Sequence, residues 1–252
     1  MRLPCVVLMV VTGCATPRTL VTPEMSPVDV WRAALRAHDG GKHVEQLSFF
    51  THDVLQPAGL VEFFYPELAP DWVAHNVFDY ARARRCVQTT KKNGHVFRWS
   101  WDGTLMQTQR DGVPYAPLLG IQRLQHMRVN RWLFWPAHAM LAEHAVVERL
   151  APVDGRPRLA FHVQDEPRDD IILELDPATL RVVAVDYTAK AVGMRGMLRA
   201  VLEDLRDVGG GVVVAHRLVE EVVVPGGTAA FHGIDLWDVR AALAPGRAAP
   251  QP

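Results

Sequence analysis

The sequence predicts an α+β fold in which one N-terminal helix precedes a largely antiparallel sheet, and three observations carry that expectation. A helical apolar period opens at Ser26-Pro27 and stops at Gly40-Gly41; Asn93-Gly94, Asp102-Gly103 and Asp111-Gly112 recur every nine residues between β-rich segments; and paired β-rich runs return between Val146 and Val239. A content of 49% hydrophobic and 22% charged residues is that of a globular chain able to build one large core. The formal net charge of −1 supplies no general attraction to nucleic acid or to an anionic membrane.

The segment before the helix has the order of an export signal: Met1-Arg2, an apolar run from Leu3 to Val11, then Val11-Thr12-Gly13-Cys14. The run is too short to span a hydrocarbon core of ~30 Å, and small residues before Cys14 suit a peptidase. Residues 1–13 are therefore expected to be a signal peptide, the alternative being an ordinary leader cut near Ala15. Val11-Thr12-Gly13-Cys14 resembles the bacterial lipobox, which implies a diacylated Cys14 as membrane anchor, and Ala15 after it implies the outer membrane. With Cys5 removed and Cys14 lipidated, Cys86 alone remains and no internal disulfide is available. Residues 14–25, with Pro17 and Pro23, are expected to be a tether, 26–243 one domain, and 244–252 a disordered Ala/Pro-rich tail. After the leader no segment approaches eighteen unbroken apolar residues.

Within the domain, Ser26 is a good N-cap, Pro27 fits the first helical turn, and Asp29 complements the helix dipole. Val28, Trp31, Leu35 and His38 then share one face. The three Asn/Asp-Gly pairs predict type I′ hairpins joining strands near Cys86 to Lys92, His95 to Trp101, Thr104 to Arg110 and a short piece after Gly112. Alternation in His95 to Trp101 places Phe97, Trp99 and Trp101 on one face and Val96, Arg98 and Ser100 on the other. Helices are expected over Pro117 to Met127 and Pro136 to about Val146, the second introduced by Trp132-Leu133-Phe134-Trp135. Hairpins follow about Asp154-Gly155, Asp176-Pro177 and Pro225-Gly226-Gly227. In Met197 to Val208 the spacing of Leu198, Val201, Leu202, Leu205 and Val208 is helical.

Four features together, Val28 to His38, Trp101-Asp102-Gly103, Phe134-Trp135-Pro136 and Leu236 to Val239, resemble the periplasmic lipoprotein-sorting carrier superfamily, the LolA/LolB-like fold shared with mycobacterial lipid-binding lipoproteins. The resemblance implies a curved antiparallel sheet, an incomplete β-barrel covered by helices, with acyl chains held between sheet and helices. It also implies that 197–208 is a strand, against its period. It brings no strict catalytic or binding signature.

Phe97, Trp99 and Trp101, facing helix-block residues Leu133, Phe134, Trp135 and Leu141, are the expected ligand-binding residues, because such walls make an apolar concavity. Any one of these aromatics taken singly reads as a core-packing residue, since buried aromatics mostly are. Eleven histidines raise a metal hypothesis around His38, Asp39 and His43, and around His138, Glu143 and His144, but no H-E-x-x-H or Cys/His cluster occurs. Ser26, Ser48 and Ser100 lie in no G-x-S-x-G elbow, and Cys86, despite Arg84 and Arg85, reads as a small hydrophobe. The glycine clusters match no nucleotide-binding loop. The expectation is a noncatalytic, cofactor-free envelope lipoprotein that binds a lipid or the acyl chains of another lipoprotein. Its rivals are an interaction lipoprotein with a filled cavity and an outer-face envelope partner, and, last, a metal- or thiol-dependent hydrolase.

Overall fold

Ser26 begins the first element through its hydroxyl, which accepts from the backbone N–H of Asp29 at 3.1 Å, and the chain runs as helix α1 over Pro27–Asp39. Gly40 ends it at φ 59° with its N–H on the Arg36 carbonyl at 3.0 Å. A Cβ on Gly40 would also lie 3.4 Å from the Gly210 carbonyl oxygen, so both the left-handed turn and a close backbone approach require glycine. The computed structural model describes residues 21–41, 44–55, 73–79, 85–92, 94–101, 105–115, 145–163, 171–189, 196–224 and 226–243.

The strands belong to one 13-stranded sheet, and every pair in it is antiparallel. After α1 the chain enters the middle of that sheet as β1 (Val44–Leu55) and steps outward through β2 (Val73–Asp79), β3 (Arg85–Lys92), β4 (His95–Trp101), β5 (Met106–Arg110) and the edge β6 (Val113–Pro114). It reappears at the opposite edge as β7 (Ala145–Val153). From there it returns inward through β8 (Arg156–Val163), β9 (Ile171–Leu175), β10 (Val182–Ala189), β11 (Gly196–Asp207), β12 (Val213–Val224) and β13 (Gly227–Leu243). β13 pairs with β1, so two meanders meet at the centre and the outer strands β6 and β7 leave the sheet unclosed.

Turn chemistry explains the meanders. Asp111 and Gly112 sit at φ 52° and 81°, and Asp154 and Gly155 at 51° and 75°, the paired left-handed residues of type I′ hairpins. Gly94 sits at φ 78°, while Asn93 and Asp102-Gly103 lie outside the described residues. Asp176 accepts at Oδ1 from the N–H groups of Ala178 and Thr179, an Asx turn that places Pro177 between β9 and β10.

Three expectations are corrected or completed. A cover of several helices is not supported: among the described residues α1 is the single helix, and Ala145 and Val146, expected to end a helix, begin β7. Most of the expected helix block, residues 116–144, lies outside the described residues. β1 and β2, which no hairpin dipeptide announces, are additions. Residues 197–207 lie in strand β11, as the family resemblance implied and the period did not, and Val208 follows its end. Leu198, Ala200 and Leu202 are buried there, while Asp204 at φ 52° re-aims the chain so that Leu205 and Val208 also pack against the core. The combined spacing of those leucines imitates a helix.

One sheet face, here termed inner, packs against α1. Trp31 meets Phe161 edge-to-face with centroids 4.7 Å apart, and Val30 and Ala34 join the same core. Val21 is also in that core, and Arg149 donates to the Thr22 carbonyl at 3.1 Å, so residues just before the helix are docked on the domain.

Candidate functional site

Period-two alternation sorts the chemistry of the sheet onto its two faces. On the inner face of the β1–β6 half lie Leu47, Phe49, Phe78 and Trp99, all buried, with Phe49 and Phe78 stacked at 5.7 Å. Trp99 is 1% exposed and meets Tyr115 edge-to-face at 6.3 Å. Phe97 is half-buried near the end of the same strand, 6.1 Å from Tyr115 and beneath the guanidinium of Arg110 at 5.9 Å. Cross-strand pairing carries the face on through Cys86↔Trp101 and Trp101↔Met106.

Of the residues expected to bind ligand, Phe97 and Trp99 both pack against Tyr115, and of Trp101 only the backbone, in β4, is described. Leu133, Phe134, Trp135, Leu141 and the anchor residue Cys14 lie outside the described residues. Phe49, Phe78 and Tyr115 extend the aromatic wall and were not anticipated. The alternation of Leu47, Phe49 and Thr51 was the available signal for the first of them.

Two polar insets interrupt this face. Asn76 is buried and donates to Thr51 Oγ1 at 3.0 Å and to the Ala74 carbonyl at 3.2 Å. On the other half the Tyr187 hydroxyl donates to Glu220 Oε1, both residues being buried. Burial, and after it the neighbouring Glu220 charge, holds the phenol well above its usual range and therefore protonated.

The histidine singled out beside Gly40 has a structural task. His38 Nδ1 lies 3.0 Å from the Val213 carbonyl and its Nε2 accepts the Val182 N–H at 2.8 Å, which ties the C-terminus of α1 to β12 and to β10. A carbonyl on one nitrogen and an N–H on the other select the neutral Nδ1–H tautomer. Burial lowers its pKa to about 4, with the Val213 carbonyl opposing and the Arg181 charge assisting. Among the described residues no group of three or more His, Cys, Asp or Glu side chains could hold a metal ion. His43, His138, Glu143 and His144 lie outside them, and of Cys86 only the backbone, in β3, is described.

The outer face carries charge and a second aromatic group. Arg199 bridges Glu174 Oε2 at 2.6 Å and Asp186 Oδ1 at 3.1 Å, flanked by Arg156 on Glu174 at 2.7 Å and Arg158 on Asp186 at 3.5 Å. Near the centre of the sheet Phe50 lies 4.7 Å from His75 and 6.0 Å from Trp237, which is 39% exposed.

Among the described residues, fold and site together define an unclosed antiparallel sheet with one helix, an apolar aromatic inner face and a charged outer face. No protein-family model matches the chain, and no curated protein matches it. Among solved structures it is similar to a LolA superfamily protein from Nitrosomonas europaea, at 10% identity and a TM-score of 0.48 over 88% of this chain and 96% of that one. It is also similar to a domain described as an outer membrane lipoprotein-sorting protein from Vibrio parahaemolyticus, at 9% identity and a TM-score of 0.47 over 85% and 91%. A DUF1329 family protein from Desulfovibrio piger matches at 12% identity and a TM-score of 0.38 over 86% and 94%.

Proposed function

We propose that this protein is a noncatalytic bacterial envelope lipoprotein that binds a lipid, or the acyl chains of another lipoprotein, against the inner face of its sheet. The observation that supports this most is that face itself: an unclosed sheet whose aromatic wall, with Phe49, Phe78 and Trp99, is continuous with an aliphatic one, with Leu173, Leu198 and Leu218. Apolar walls with few polar insets are what lipophilic ligands require. Phe97, Trp99 and Trp101, with Leu133, Phe134, Trp135 and Leu141, are the proposed contact residues. Burial of eight methylenes would contribute about 6 kcal/mol before association costs, enough for retention and still compatible with release.

The test is organic extraction of the purified full-length protein followed by mass spectrometry, with tryptophan quenching by long-chain amphiphiles. A stoichiometric non-covalent lipid and saturable quenching are expected. Protein that purifies lipid-free and shows no saturable quenching would end this reading. The second reading, an interaction lipoprotein with a filled core, is favoured by the near-complete burial of Trp99 and by the exposed outer-face group of Trp237, Phe50 and His75. Under it the lipid assays fail and Trp237→Ala weakens partner capture.

Anchoring is proposed at Cys14, with the domain facing the periplasm from the outer membrane. Cys14→Ala is expected to move the protein from the membrane to the soluble fraction with an unchanged melting temperature, because Cys14 precedes the docked residue Val21 by seven positions. Unchanged fractionation of the variant would exclude the anchor.

A further inference from the structure

We infer that the tip of the β7–β8 hairpin, Ala151-Pro152-Val153 before the Asp154-Gly155 turn, is a membrane seat that lies on the bilayer holding the lipid of Cys14. The inference depends on the anchor proposed above and is independent of what the inner face binds. Its first ground is the composition of the tip. Hairpin ends are ordinarily polar, but β7 closes on Leu150-Ala151-Pro152-Val153, in which Leu150 is half-buried and the other three are exposed, Val153 at 44%. The β7–β8 ladder shifts register between Leu150 and Val153, and none of the three exposed residues belongs to the core. Core packing therefore does not account for the run, and such a run in water is a liability unless an apolar medium receives it.

The second ground is where the chain towards Cys14 leaves the domain. Val21 is 7% exposed within the core, and Arg149 donates through Nη1 to the Thr22 carbonyl at 3.1 Å and the Pro23 carbonyl at 3.5 Å. Arg149 stands four residues before Val153, about 13 Å along an extended strand. Seven residues lead from Val21 back to Cys14 and span at most about 25 Å. The opposite edge, β6, is twelve strand spacings from β7, about 58 Å measured along the sheet. The docked tether thus holds the β7 edge within reach of the bilayer and leaves β6 the farther one. Glu148 and Asp154 offset Arg149 and Arg156 around the tip, so the attraction is apolar and not towards anionic lipid. Three small side chains bind a surface weakly by themselves. The tether makes the contact effective by keeping the tip concentrated beside that surface, as the second signal that supplements a lipid anchor.

The full-length lipidated protein, reconstituted in phosphatidylcholine vesicles, is compared with the soluble Cys14→Ala chain by millisecond hydrogen–deuterium exchange. Flotation with the vesicles reads the anchor separately from the seat. Exchange at residues 151–156 is expected to slow at least about threefold on the vesicles, while the Asp111-Gly112 turn, near the other edge, keeps its rate. Val153→Asp, at an exposed position, should leave melting temperature and flotation unchanged and remove the protection. Vesicles containing about one-third phosphatidylglycerol should protect the tip to the same extent, because its charges cancel. A protein that floats while its tip exchanges as fast as in the soluble chain overturns the seat and keeps the anchor. Protection that survives Val153→Asp, or that needs the anionic lipid, also overturns it. If the protein does not float, the anchor falls and the seat with it.

Discussion

His38→Leu is expected to destabilise the protein by about 3 kcal/mol at pH 7, because it leaves the Val182 N–H and the Val213 carbonyl without their imidazole partner in the core. The same residue makes the wild-type protein acid-sensitive. Its folded-state pKa of about 4 lies below the unfolded value of 6.5, so between those pH values the unfolded chain binds one more proton. Stability therefore falls as pH drops from 6.5 towards 4 and is independent of this group above 6.5. The full difference is about 3 kcal/mol at 1.36 kcal/mol per unit. Burial also holds His216 below its usual range, adding a trend of the same sign in both proteins, so the wild-type minus variant difference isolates His38. Urea unfolding at pH 7, 6, 5 and 4.5 measures it. A difference that stays constant across that range would show that His38 is not held neutral in the fold.

Arg199→Met should have an effect of similar size from the other side of the sheet, a loss of about 3 kcal/mol at pH 7. Its guanidinium stands between two carboxylates, Glu174 at 5% side-chain exposure and Asp186 at 12%, and removing it leaves both short of a counter-charge. In the native protein the two respond oppositely. Burial would raise Glu174, but the hydrogen bonds and charges of Arg156 and Arg199 outweigh it and hold the group low. Burial wins at Asp186 and raises it, against Arg199 and Arg158. A lowered carboxylate contributes stability that is present above its unfolded pKa and disappears as pH falls through the folded one; a raised carboxylate does the reverse. In Arg199→Met both groups should rise, so the deficit should shrink as pH falls from 7 to 5. Denaturant unfolding with a double-mutant cycle against Glu174→Gln reads the coupling. A deficit under about 0.5 kcal/mol would class these contacts with ordinary surface pairs.

Much of the fold was legible where a residue type and a backbone geometry demand each other. Ser26-Pro27 and Gly40 bounded α1 to within one residue, and Asp111-Gly112 and Asp154-Gly155 set two hairpins because consecutive left-handed residues are tolerated there. The common side of Phe97 and Trp99, both in contact with Tyr115, followed from strict alternation along His95 to Trp101. The site was legible only in that part. Phe49, Phe78, Tyr187 and Glu220 lie on strands without such turn markers, or gain their meaning from partners remote in the chain.

What the sequence determined by itself was therefore local: the helix and its caps, the hairpin turns, and which side of a well-alternating strand faces the core. The tertiary structure alone decided the rest. β1 finds β13 across nearly the whole chain, a pairing that no local propensity encodes because it is stabilised only once both meanders exist. β11 is a strand despite its helical spacing, since its edges lie between β10 and β12, whose backbone groups need partners there, and the left-handed Asp204 accommodates the leucines. His38, which the helical period placed on one face with Trp31 and Leu35, became a neutral clamp, because the strands that bury it remove the water an imidazolium needs.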